Sequence, residues 1–79
     1  MSLSPAQCRA ARSHLSITQD QLAKSSRVSK RTIANFEGGQ ATPIPATMRA
    51  IQQTLEAAGI EFMPGGARLR EQPAEAEAR

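Results

Sequence analysis

Lys30, Arg31 and Asn35 are the residues of this chain whose types and spacing can do recognisable chemistry. A guanidinium offers parallel donors that match the two acceptors on the major-groove edge of guanine. An asparagine amide matches the donor and acceptor of adenine, and a lysine ammonium supplies a point charge for phosphate. The three lie in the run Ser29–Glu37, SKRTIANFE. At about 100° per residue on a helical wheel, Ser29, Ile33, Phe36 and Glu37 gather on one side. Arg31, Ala34, Asn35 and Gly38 gather on the other, with Lys30 on the flank between. The inner side is apolar apart from Ser29 and Glu37. The outer side carries groups that can bond base edges and phosphates. Lys24, Arg27, Lys30 and Arg31 fall within eight positions, and no acid lies between Asp20 and Glu37. That density sets the face apart from an ordinary solvated helix surface.

A face of this kind needs elements that hold it at a fixed angle. Thr18 with Gln21 three positions later forms a capping box, so a helix starts there, with Leu22 and Ala23 on its inner side. Ser29 is a good N-cap for the next helix, with Lys30 in its first turn. Gly38-Gly39 ends that helix, because glycine takes the left-handed stop conformation without strain. Residues 17–39 thus read as helix, short turn and second helix, and that spacing presents the second helix to the major groove of DNA.

The flanking chain completes a bundle. Ser4 caps a first helix, Pro5 occupies its first position, Gln7 closes a second capping box, and the helix runs to about His14. Pro43 and Pro45 break the chain after the second helix of the pair. A fourth helix spans about Pro45 to Ala58, with Met48, Ile51, Leu55 and Ala58 as its core-facing stripe and Gly59 as its stop. Residues 60–70, IEFMPGGARLR, alternate apolar and polar residues around a Pro-Gly-Gly turn and read as a β-hairpin with one apolar face. Two strands alone are marginal in water. They must either pack on the helices or pair with the same segment of a second subunit. The second arrangement, with Ile60, Phe62 and Leu69 as the dimerisation residues, is favoured because it protects an edge and gives a symmetric pair. Residues 71–79, EQPAEAEAR, have little to bury and are expected to be disordered.

Composition agrees with a small nucleic-acid binder. Seventy-nine residues allow one domain with a small core, filled by aliphatic side chains because there are two Phe and no Trp or Tyr. The net charge of +3 is uneven: residues 1–40 carry +4 and residues 41–79 carry −1. The basic half is the half with the paired helices, as an electrostatic footprint requires. No stretch approaches the roughly 20 apolar residues needed to cross a bilayer, and the N-terminus lacks the apolar run of a signal peptide. A cytoplasmic location follows as the expectation. Cys8 is the only cysteine. It sits at helical spacing with Ala11 and Leu15 and is expected to be a small buried residue. His14, the only histidine, is expected to cap the first helix or approach a phosphate. No metal spacing, phosphate-binding glycine loop, serine elbow or paired carboxylates occur, so no catalytic residue, metal site or cofactor is expected.

The combined pattern resembles the lambda-repressor/Cro type of helix-turn-helix, the XRE-like family, and within it the short single-domain bacterial members. The matching residues are Arg12, Leu15, Ile17, Thr18-Gln19, Leu22-Ala23, Val28-Ser29, Thr32-Ile33, Phe36-Glu37, Gly39 and Pro43, across about residues 5–59. The resemblance implies a mainly α fold, a compact bundle of four or five helices over residues 1–59, followed here by the C-terminal β-hairpin. It implies a regulator that binds double-stranded operator DNA, usually as a homodimer. Carried over position by position, Gln19 and Ser29 would hold phosphates. Lys30, Arg31 and Asn35 would face bases or nearby backbone, and the loop at Gln40–Thr42 would touch the opposite phosphate backbone. Lys24 and Arg27 add phosphate-directed cations. Arg12 and Glu37 match positions that pair in the family and tie the first helix to the recognition helix, which would satisfy the inward-facing carboxylate. Two positions depart from the pattern: Ser16 and Arg27 stand where the family favours glycine. If both keep a left-handed backbone, each costs on the order of 1 kcal/mol relative to glycine. A module of another class, an antitoxin or anti-regulator using the same fold to bind a second regulatory protein, is the alternative reading.

Overall fold

Among the described residues, three of the four helices begin on a side chain that satisfies a backbone donor. The computed structural model of the chain describes residues 3–70. Helix α1, Pro5–Leu15, opens on Ser4, whose Oγ accepts from the Gln7 amide at 3.1 Å while Gln7 Oε1 accepts from the Ser4 amide at 2.8 Å. Helix α2, Gln19–Ser26, repeats the box with Thr18 and Gln21 at 3.0 and 2.8 Å. Helix α3, Lys30–Glu37, starts at Ser29, whose Oγ accepts from Thr32 N at 3.0 Å. Such caps satisfy amides that no preceding turn can reach. Helix α4, Pro45–Ala57, has no side-chain cap; Ile44 holds the cap position and Pro45, which has no amide hydrogen, starts the helix.

The helix ends explain the corners. Ser16 (φ 57°) and Arg27 (φ 61°) both hold the left-handed conformation after α1 and α2. After α3 the two glycines divide the work: Gly38 stays right-handed at φ −84°, and Gly39 alone turns left-handed at φ 78°. The core joins Leu3, Cys8, Ala11, Leu22, Ile33, Phe36, Ile51, Leu55 and Ile60, so every element but β2 contributes a fully enclosed residue. Of the stripe expected on α4, Ile51 and Leu55 are fully buried and Met48 half-buried. Ala58 is exposed, because the helix has ended at Ala57 and the chain turns toward the hairpin. Among the described residues no helix is long and apolar enough to cross a membrane.

Strands β1, Ile60–Met63, and β2, Gly66–Leu69, pair antiparallel with Ile60 opposite Leu69 and Phe62 opposite Ala67. Gly65 has φ 79°, the sign a Pro-Gly turn requires at its third position. The hairpin packs on the helices of its own chain. Gln7 Nε2 donates to the Met63 carbonyl at 2.7 Å, and His14 Nε2 donates to the Ala67 carbonyl at 2.9 Å. His14 therefore secures the hairpin instead of capping its helix. The expectation of a subunit contact through Ile60 is corrected: Ile60 is fully buried by its own chain, where it closes the core below α4. Phe62 is half-buried against that core, and only Leu69 of the three remains half exposed. The tail at 71–79 lies outside the described residues.

Candidate nucleic-acid interface

What fixes α3 is a set of apolar anchors and one carboxylate. Ile33 and Phe36 enter the core from the inner face. Glu37, one turn beyond Ile33, is buried as well, with a side chain only 3% exposed. A lone carboxylate there would be costly. Instead, Arg12 Nε and Nη2 bind its two oxygens at 2.8 and 2.7 Å, Gln19 Nε2 donates at 3.0 Å, and the Cys8 thiol donates at 3.0 Å. Arg12 also donates to the Ile17 carbonyl at 3.1 Å, which ties the α1–α2 corner into the same knot. Arg9 donates to the backbone carbonyl of Glu37. α3 has no basic residue in its own last turn, so this cation from α1 serves the negative end of the helix dipole.

The electrostatics follow from that geometry. Burial alone would raise the Glu37 carboxyl. The hydrogen bonds from Arg12, Gln19 and Cys8, with the charge of Arg12, overcome it and hold the group below the ordinary carboxylate value. The hydrogen bond to Glu37 raises Arg12 further above its ordinary value. Burial, then the neighbouring carboxylate, push the Cys8 thiol far up, so it stays protonated and remains a donor. The pair expected between Arg12 and Glu37 is thus present, with two more donors than the pattern of residues announced. One signal was available for Cys8: it lies four residues before Arg12, on the same helical face. Nothing local marks the Gln19 bond, which joins residues 18 positions apart.

The opposite face of α3 is open. Lys30 and Arg31 are exposed and Asn35 is half-exposed. None of the three makes an ion pair or a side-chain hydrogen bond among the described residues. The loop after α3 is tied to the same helix, since the amides of Gln40 and Ala41 both donate to the Asn35 carbonyl, at 2.9 and 3.3 Å. Gln40 and Thr42 are exposed on it. Arg27 stands exposed in the turn between α2 and α3, held out by its left-handed backbone. Lys24 is exposed on α2 and lies 3.6 Å from Asp20, a solvated pair that constrains it little. Ser29 is committed to its cap and donates to Thr32 Oγ1 at 2.8 Å. Gln19 is half-buried, with its amide turned toward Glu37. The cations and amides on the exposed side of α3 and its two flanking loops can therefore meet a polyanion, while the inner face is fully committed to the fold.

Among the described residues there is no group of three His, Cys, Asp or Glu side chains arranged to hold a metal ion. A search of curated proteins finds no match to the chain. A family profile described as a helix-turn-helix domain matches residues 9–58, which run from within α1 through the end of α4 and include the exposed face of α3. With well over half of its length matched, the chain belongs to the helix-turn-helix domain family.

Proposed function

We propose that this protein is a sequence-specific DNA-binding transcription regulator of the lambda-repressor/Cro type, working as a homodimer on a two-fold symmetric operator. The observation that carries this reading is the asymmetry of α3. Ile33, Phe36 and Glu37 lock one side, while Lys30, Arg31 and Asn35 stand free on the other. A helix held this way can enter the major groove without reorganising the bundle. Arg31 is the residue for guanine, through its two acceptors, and Asn35 reads adenine or clamps a phosphate. Arg27, Lys24, Gln19, Gln40 and Thr42 set the register on the backbone without reading sequence, and Ser29 adds its backbone amide, since its hydroxyl proton serves Thr32. For Gln19 the second amide hydrogen is the phosphate donor, since the first serves Glu37. A dimer places two such helices in successive major grooves about 34 Å apart.

Replacing Arg31 by Ala tests the assignment. The expected loss is about 1–3 kcal/mol on the preferred operator, with relaxed preference at the base pairs it reads. Unchanged affinity and preference in a competition gel shift would show that α3 is not the reading helix. Binding that disappears with salt and shows no preference at any sequence would favour a protein-interaction module instead.

A further inference from the structure

Helix α4 has a second face that no other described residue covers. Met48, Arg49, Gln52, Gln53 and Glu56 line a half-open groove of about 760 Å3, together with residues at the start of α1, Phe36 of α3 and the loop that leads into α4. Arg49 and Glu56 are seven residues apart, so they share one side of the helix about 10.5 Å apart along its axis. Neither makes an ion pair among the described residues; Glu56 accepts from Gln52 at 3.1 Å. Among the described residues, the exposed large apolar side chains are Ile44 (67%) and Leu69 (50%). They lie at opposite ends of α4: Ile44 caps its start, and Leu69 pairs with Ile60 just past its end, where neighbouring Arg70 donates to the Glu56 carbonyl at 3.3 Å.

These four features have one common operation. We infer that a second copy of the chain docks in this groove, its α4 antiparallel to the first about a two-fold axis passing between Gln52 and Gln53. That axis is the midpoint of Arg49 and Glu56, so it sets Arg49 of each copy against Glu56 of the other, twice. Isologous contacts have this reciprocity, with residue i meeting j and j meeting i. Gln52 and Gln53 meet at the axis, where amides can both donate and accept. The same rotation brings the Ile44 end of one α4 to the hairpin end of the other. Lys30, Arg31 and Asn35 do not line the groove, so the base-reading side of α3 stays uncovered; of the proposed phosphate contacts, Thr42 does line it and borders both surfaces. The inference rests on the homodimer reading above and names its surface.

Charge reversal tests it in sedimentation velocity over a concentration series, without DNA. Wild type is expected to self-associate. Arg49→Glu and Glu56→Arg each place two like-charge pairs at the contact and are expected to weaken association by at least about tenfold. An equimolar mixture of the two variants restores opposite charges at both sites and is expected to associate like wild type, as is the double variant R49E/E56R. Thermal melts of each single variant show whether the fold is kept, and the mixture rescues only a surface effect. Single variants that associate like wild type, or a mixture that stays as weak as its components, would overturn the groove while leaving the homodimer reading intact. A wild type that stays monomeric at every concentration, free and on selected DNA, would remove both.

Discussion

The Glu37 carboxylate sets what α3 can do. Among the described residues it is the one charged group that is buried, and it is satisfied by three side chains from two other helices. Removing one partner of such a pair strands the other. Arg12→Ala is expected to cost about 3 kcal/mol of stability, read as a lower urea midpoint; a midpoint equal to wild type would dismiss the pair. The group also gives a pH dependence with a definite sign. Its value in the fold lies below that of the unfolded chain. The contribution is therefore complete above the unfolded chain's ordinary carboxylate value and is lost as pH falls through the lower folded value. Glu37→Gln cannot titrate. The stability gap between wild type and this variant is expected to shrink as the pH is lowered from about 6 toward 3. A gap independent of pH would mean that the carboxylate is not held ionised.

Between elements, the two corners flanking α2 hold left-handed Ser16 and Arg27, where a Cβ is unfavourable. Ser16→Gly and Arg27→Gly are each expected to stabilise the fold by about 1 kcal/mol. For a domain of this size that corresponds to a thermal midpoint higher by roughly 4–8 °C. Arg27→Gly is also expected to reduce the salt slope of DNA binding by about 1, because it removes a phosphate cation. Stabilisation by Ser16→Gly alone, with the salt slope unchanged, separates the two roles. The caps at Ser4, Thr18 and Ser29 were legible in the sequence, because each is settled by residues within a few positions, whereas the left-handed corners were expected only as one alternative, through the glycines the resembled family favours there. The docking of the hairpin was not legible. It depends on Gln7 and His14 reaching carbonyls 53 or more positions away, and on Ile60 closing the core. An alternating strand pattern states only that one face is apolar, not whose surface covers it. The exposure of Ala58 was hidden for a similar reason: a helical stripe does not announce the residue at which the helix stops.

For the molecule as a whole, charge and shape point the same way. The basic first half of the chain builds α1 to α3, and most of its exposed cations lie on α2, on α3 and in the turn between them, with Arg9 on α1 besides. Lys24→Ala and Lys30→Ala are expected to weaken binding uniformly across sequences and to flatten its dependence on salt, whereas Arg31→Ala changes which sequence is preferred. The central claim is that the outer side of α3 reads duplex DNA while its inner side anchors it. Selection of bound duplexes from a random library, run in parallel with wild type and Arg31→Ala, tests this most directly. Wild type is expected to enrich a two-fold symmetric motif with half-sites one helical turn apart, and the variant to lose guanine preference at the matching position in both halves. An identical motif from both proteins, or no motif from wild type, would contradict it.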